Sequence, residues 1–169
     1  MTAPPQPTDL ADSPLLTTVG FFMEAHAGFL ARLERSLLQN SHLSVQWFEV
    51  LMRLFRTPGH RLRMSDLAAQ TTLTASGLTR AVDRLETSGL VIRQACAEDR
   101  RVAYAVLTDE GEARIRCALP LHQEHIDEVL QAAFTPDELT ELDRLMRKLR
   151  DVLNPDAACA SIPGGTPET

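Results

Sequence analysis

Nine arginines fall within residues 53–101, and they dominate the chemistry that this chain of 169 residues can perform. The same stretch holds five acidic residues, so its net charge is +4, whereas the rest of the chain carries −10. Guanidinium groups bind phosphates and can grip a guanine edge with two hydrogen bonds. A basic middle between acidic ends therefore indicates a local phosphate-binding face, and an ordinary solvated charged surface is the alternative.

The arginines belong to a pattern of two short helices joined by a polar bend. The first helix is expected to start near Ser65, the bend covers residues 71–74, and the second helix runs over residues 75–88. Thr74 suits the N-cap of the second helix and Gly89 its left-handed C-terminal position. The buried stripe of this helix is predicted at Leu78, Val82 and Leu85, which leaves its polar residues on the other faces: Ser76, Thr79, Arg80, Asp83 and Arg84.

Two β-prone runs follow this helix, at residues 90–93 and 102–107, and a charged hairpin tip lies between them. Helix, turn, helix and a two-stranded wing form an arrangement that reads duplex DNA. The second helix fits the major groove, and the wing tip, with Arg100 and Arg101, reaches the backbone or the minor groove. Residues 61–64 are expected to add a short strand to the wing. Arg84 has two open roles, a phosphate contact or a pair with Asp99.

The predicted fold class is mainly α with a small β-wing: a winged helix-turn-helix plus a helical dimerisation lobe. Helices are expected over residues 15–39, from the Ser44 cap to 56, over 109–133, and from the Thr135 cap to 153. Residues 43–107 form the predicted DNA-binding region, and residues 14–42 and 108–154 the predicted dimerisation region. Residues 1–13 and 155–169 are expected to be a disordered arm and tail because they are rich in proline or glycine.

The long terminal helices carry apolar stripes that a winged helix of this size cannot cover. A second copy of the chain would cover them, and the resulting two-fold symmetry matches a palindromic DNA operator. We therefore expect a homodimer. The alternative is a monomer whose terminal helices fold back on the core.

These residues resemble the MarR-type winged helix-turn-helix regulators. The resemblance covers roughly residues 15–154, and its matching stretches are 43–51, 65–68, 73–80, 82–86, 89–91, 99–101 and 107–111. The resemblance implies a triangular α-helical homodimer that usually represses transcription. It also implies a small-molecule pocket where the DNA-reading lobe meets the dimerisation helices.

The same resemblance suggests roles for individual residues. Thr74, Ser76, Thr79 and Arg80 correspond to the groove-facing set of the recognition helix. Arg101 corresponds to the wing arginine that enters the minor groove, and Asp99 to the acid that orients it. An arginine suits that place because a narrow minor groove has a strongly negative potential.

A possible effector pocket is predicted from the apolar residues near the junction of the two regions. The candidates are Phe22, His26, Phe29, Trp47 and Arg53, and the expected ligand is a small aromatic or amphipathic anion with Arg32 or Arg53 as its charged partner. The alternative is that the apolar members are plain core.

Other function classes have weaker support in the sequence. His122 and His125 share a helix face and could hold a metal, and Cys96 near the wing could be redox-active; solvated histidines are the favoured interpretation, and no cofactor or metal is expected. A winged helix that binds protein instead of DNA is a further alternative. No catalytic motif indicates an enzyme. Three cysteines without a CxxC, no signal peptide and no apolar span suggest the cytoplasm and no membrane.

Overall fold

The computed structural model describes residues 13–96, 99 and 102–153. The predicted arm and tail, apart from Ser13, and the wing-tip residues Arg100 and Arg101 lie outside the described residues. The predicted fold class is confirmed. The helices are α1 (Pro14–Ser41), α2 (Val45–Arg56), α3 (Met64–Gln70), α4 (Ala75–Thr87), α5 (Asp109–Ala133) and α6 (Pro136–Leu153), and the strands are β1 (Arg61–Arg63), β2 (Val91–Ala95) and β3 (Ala103–Leu107).

Polar side chains cap the first turns of the helices where the sequence predicts them. The Ser44 Oγ accepts a hydrogen bond from the Trp47 amide at 3.2 Å, and the Thr74 Oγ1 accepts one from the Gly77 amide at 3.1 Å. Each cap satisfies an amide that has no partner within its helix. These contacts determine where α2 and α4 begin.

Helix α6 begins with a capping box, as predicted. The Thr135 amide and hydroxyl both donate to the Glu138 Oε2 at 2.8 Å, and the Glu138 amide donates back to Thr135 Oγ1 at 3.4 Å. The two hydrogen bonds from Thr135 lower the pKa of Glu138 because they stabilise the carboxylate form.

The three strands form one antiparallel sheet in the order β1–β3–β2. The predicted short strand before the helix-turn-helix is confirmed for residues 61–63, whereas Met64 begins α3. Leu62 lies opposite Ala105, which in turn lies opposite Arg93. Ala105 and Leu107 are buried, so this side of β3 faces the helices.

Helix α2 lies in the centre of the hydrophobic core. Its buried residues Phe48, Val50, Leu51 and Leu54 occupy more than one face, as the sequence predicts. The helix contacts α1, α3, α4, α5 and β3. It therefore joins the helix-turn-helix and the sheet to the two long helices α1 and α5.

A buried glycine allows α5 to approach the sheet closely. A Cβ atom on Gly111 would lie 2.1 Å from the Leu90 carbonyl oxygen, a distance that real Cβ atoms do not show. In the same region the Thr108 hydroxyl donates to the Gly89 carbonyl at 2.7 Å, and the Thr108 amide donates to the Leu90 carbonyl at 3.2 Å. Gly89 has a φ of 73°, which confirms the predicted left-handed position after α4.

The first and last helices, α1 and α6, expose large apolar side chains. No residue of α6 is buried, although its leucines recur with helical spacing. The first half of α1 is also exposed, with Leu15 at 72% and Phe21 at 66% exposure. Within residues 13–96, 99 and 102–153, no helix is both long and apolar enough to cross a membrane.

Candidate nucleic-acid interface

Helix α4 presents a polar face opposite the residues that anchor it. Leu78, Ala81, Val82 and Leu85 are buried, and the predicted stripe at 78, 82 and 85 is confirmed. All five predicted contact residues on this helix or its cap are exposed: Thr74, Ser76, Thr79, Arg80 and Arg84. Thr79 and Arg80 lie three and four residues after Ser76, and Arg84 lies four residues after Arg80, so these four residues share one side of α4.

The hydroxyl groups on this face already contact other groups of α4 or its cap. The Thr79 hydroxyl donates to the Ala75 carbonyl at 3.0 Å, and the Thr74 and Ser76 hydroxyl oxygens lie 3.4 Å apart. Thr79 therefore offers acceptor lone pairs outward. Such oxygens suit the exocyclic amino groups of adenine and cytosine in a major groove.

Arg80 and Arg84 are available for a partner outside the chain. Among the described residues, neither guanidinium forms an ion pair or a side-chain hydrogen bond. An unpaired arginine on an exposed helix face can take a guanine edge or a phosphate with two hydrogen bonds. Asp99 is one of the described residues, so the structure does not show the Arg84–Asp99 pair that was the alternative to a phosphate contact.

Arg93 on β2 neutralises the acidic residues of α4. Its Nη1 lies 2.6 Å from Asp83 Oδ1 and 2.9 Å from Glu86 Oε2, and its amide donates to Glu86 Oε1 at 3.0 Å. The Arg93 Nη2 also donates to the Thr79 carbonyl at 3.3 Å. The sequence groups Arg93 with the phosphate-binding arginines. In the structure its partners belong to the same chain, and its contacts hold α4 against the sheet.

Glu49 fixes the turn between α3 and α4. Its Oε1 accepts from the Thr72 amide at 2.8 Å and its Oε2 from the Thr72 hydroxyl at 2.9 Å. Glu34 on α1 fixes the start of α2 in the same way, since its Oε2 accepts a hydrogen bond from the Val45 amide at 2.6 Å. Sequence reasoning missed both carboxylates, because contacts 23 and 11 residues apart leave no local signal.

The described part of the wing is a tight hairpin base. The Cys96 amide donates to the Val102 carbonyl at 2.9 Å, and the Val102 amide donates to the Asp99 carbonyl at 3.0 Å. Asp99 is exposed at the tip. Its role in orienting Arg101, which lies outside the described residues, stays a prediction.

Two arginines flank an aromatic ring on the outer face of the sheet. The Arg61 Cζ lies 3.7 Å from the centroid of the Tyr104 ring, and the Arg63 Nε donates to the Tyr104 hydroxyl oxygen at 3.2 Å. That hydrogen bond is the main reason why the pKa of Arg63 is raised. These contacts hold both guanidinium groups in place on the sheet.

The predicted pocket residues occupy different surroundings. Phe22 and His26 are exposed on α1 and stack with ring centroids 6.4 Å apart, while Phe29 and Arg53 are half-buried. Trp47 packs against the core and lines a cleft of about 660 Å³. The cleft lies between Glu34 and other α1 residues, the start of α2, the turn before α4, and Arg84.

His122 lies at the contact between α2 and α5, and His125 lies one turn further along α5, where it faces α1. The His122 ring is tilted against Phe48 with centroids 4.2 Å apart, and burial, followed by the nearby His125, lowers the pKa of His122. His122 Nδ1 and His125 Nε2 are buried and lack a hydrogen-bond partner in the described part of the chain. In that same part, no three histidine, cysteine or carboxylate side chains come close enough to hold a metal.

A helix, a turn and a second helix, followed by a β-hairpin that pairs with the short strand β1 before them, define a winged helix-turn-helix protein. A model of the MarR family matches residues 42–102. The MarR family regulator Sco3205 from Streptomyces coelicolor, solved in complex with DNA, is 31% identical with a TM-score of 0.77, over 82% of this chain and 90% of that one. AbsC from the same organism is 30% identical with a TM-score of 0.74, over 90% and 98%.

A sequence relative agrees with these structural ones. The transcriptional repressor YetL of Bacillus subtilis is 37% identical over 89 residues, and the aligned segment is 53% of each chain. The chain thus spans about half the length of this curated relative. Together the matches show that the chain belongs to the MarR family of transcriptional regulators.

Proposed function

We propose that this protein is a homodimeric, sequence-specific DNA-binding repressor that acts in the cytoplasm and is released by a small ligand. The observation that carries the proposal is the exposed face of α4. There, Arg80 and Arg84 have no partner among the described residues, while Arg93 neutralises Asp83 and Glu86. Sco3205, a relative of the same fold, is a DNA complex in its crystal structure, and YetL is a repressor.

The proposed docking puts α4 in the major groove and the wing on the adjacent minor groove or backbone. Thr74, Ser76, Thr79 and Arg80 contact base edges, and Arg84 contacts a phosphate. Arg100 and Arg101 bind from the wing, with Asp99 as the orienting acid. The overall charge of −6 is compatible with this docking because the arginines are concentrated in the reading region.

The dimer is proposed from the uncovered apolar faces of α1 and α6. Helix α6 has 18 residues and none is buried, and Leu145, Met146 and Leu149 are each about 40% exposed. Exposed apolar surfaces of this kind mark contacts between proteins. A second copy covers them with two-fold symmetry and places two α4 helices on a palindromic operator. Light scattering should give twice the chain mass at micromolar concentration, and a folded monomer there would contradict the dimer.

Ligand release is proposed to act through the cleft at Trp47. This cleft touches α1, the start of α2 and the turn before α4, so a bound molecule would bias the position of the recognition helix. A small aromatic anion is the expected class. A thermal-shift screen of aromatic carboxylates should find compounds that both stabilise the protein and weaken DNA binding.

The DNA contacts are tested with a duplex selected from a random pool. Arg80→Ala should weaken specific binding by about 1–3 kcal/mol and relax the preference at one or two base pairs. Arg114→Ala on α5 is the control, because it removes the same charge from a partly exposed site outside the helix-turn-helix, the wing and the proposed dimer faces. Equal affinity of the Arg80 variant and the wild type would refute the docking.

A further inference from the structure

A second cleft, of about 410 Å³, lies between α1 and α5 and differs in chemistry from the one at Trp47. Its lining side chains all carry hydrogen-bonding groups, and none is acidic or aliphatic: Arg32, Arg35, Ser36, Gln39, Asn40 and His125. In a chain with a net charge of −6, a concave site lined by two arginines and no carboxylate is unusual. The cleft therefore attracts anions locally.

Asn40 Nδ2 donates to Ser36 Oγ at 3.4 Å, but the two arginines of this cleft keep most of their donors free within the described part of the chain. Arg32 forms no ion pair or side-chain hydrogen bond there, and Arg35 uses only its Nε, which donates to the Ala31 carbonyl at 3.3 Å. The terminal nitrogens of both guanidinium groups remain available. They sit three residues apart on one helix, which brings them to the same face of α1.

His125 adds a third nitrogen from the opposite helix. Its Nε2 is buried without a hydrogen-bond partner in the described residues, and its Nδ1 lies 3.9 Å from Glu128 Oε2. A buried polar atom without a partner costs free energy, and an acceptor in the cleft would remove that cost.

We propose that this cleft binds a small hydrophilic anion that carries carboxylate or phosphate groups. Arginine forks suit both groups, because two parallel hydrogen bonds match a pair of oxygens. The volume lies within the usual range of small-molecule sites. An aromatic anion is a poor fit, because no lining residue offers an apolar surface to its ring. The site is separate from the Trp47 cleft and from the DNA-reading face.

Calorimetric titration of the full chain without DNA tests this site independently of operator binding. Inorganic phosphate and citrate are the two probes, each against sodium chloride of equal ionic strength, and saturable heat is expected for at least one of them. Binding of inorganic phosphate would indicate a phosphate ligand, and binding of citrate would indicate a carboxylate ligand. Arg32→Gln combined with Arg35→Gln should weaken that binding tenfold or more, because the anion loses the charge-assisted hydrogen bonds of both guanidinium groups.

Two further variants make the test specific. Arg56→Gln removes an exposed arginine at the end of α2 that does not line the cleft, and it should bind like the wild type. Arg32→Lys keeps the charge but loses the fork, so its affinity should fall between those of the wild type and Arg32→Gln. No saturable heat with either probe, or equal binding by the double variant and the wild type, would overturn the proposal.

Discussion

Replacing Gly111 by alanine should destabilise the protein although alanine is the better helix former. The new Cβ would lie 2.1 Å from the Leu90 carbonyl oxygen and 2.8 Å from Leu107 Cδ1. Because the nearest atom belongs to the backbone, α5 must move away from the sheet. We assign the upper end of an overpacking cost, about 3 kcal/mol, against a gain of about 1 kcal/mol from helix propensity.

The movement of α5 also strains the hydrogen bonds of its cap. The Thr108 amide and hydroxyl donate to the Leu90 and Gly89 carbonyls, and weakening one of them costs about 1 kcal/mol more. The expected net loss for Gly111→Ala is therefore about 2–3 kcal/mol.

Urea unfolding measures this loss at a fixed protein concentration, since the stability of the proposed dimer would depend on concentration. Gly28→Ala in α1 is the matched control: no described atom lies within 4 Å of its new Cβ, so it should gain about 0.5–1 kcal/mol. If Gly111→Ala were as stable as the wild type, the close contact between α5 and β2 would be wrong.

Two further perturbations test the support of the reading helix and the acid sensitivity of the core. Arg93→Gln leaves Asp83 and Glu86 without their counter-charge, so duplex binding should weaken several-fold. The free energy of unfolding should fall by only about 1 kcal/mol, because these ion pairs are partly exposed. Wild-type affinity of this variant in fluorescence anisotropy would contradict the role of Arg93. Burial lowers the pKa of His122 below its usual value of 6.5. As the pH falls, the unfolded chain therefore binds a proton at this histidine before the folded chain does. The free energy of unfolding should then decrease below about pH 6.5. His122→Phe should reduce that fall between pH 7.5 and 5, measured by urea unfolding, whereas His26→Phe at an exposed site should not; identical pH profiles for wild type and His122→Phe would rule this out.

The sequence predicts the elements of this fold well where their signals are local. The caps at Ser44, Thr74 and Thr135 and the left-handed Gly89 depend on a residue and its near neighbours, and all are confirmed. The buried stripe of α4 follows from helical periodicity alone. Helix boundaries agree within one or two residues because these signals mark them.

Contacts between distant parts of the chain are what the sequence does not reveal. Arg93 carries the same charge as Arg80, and only the geometry shows that it neutralises acids on α4. Gly111 resembles any glycine in a first helical turn until the Leu90 carbonyl is seen beside it. Glu49 likewise becomes functional only when α2 packs beside the turn at Thr72.

The most direct test of the central claim is a salt titration of duplex binding by the purified protein. Fluorescence anisotropy with an operator selected from a random pool should show tight binding at low salt and two chains per duplex. Affinity should fall steeply and linearly in log–log form as salt rises, because arginines displace counterions from phosphates. A protein that binds no duplex even at low ionic strength would contradict the account.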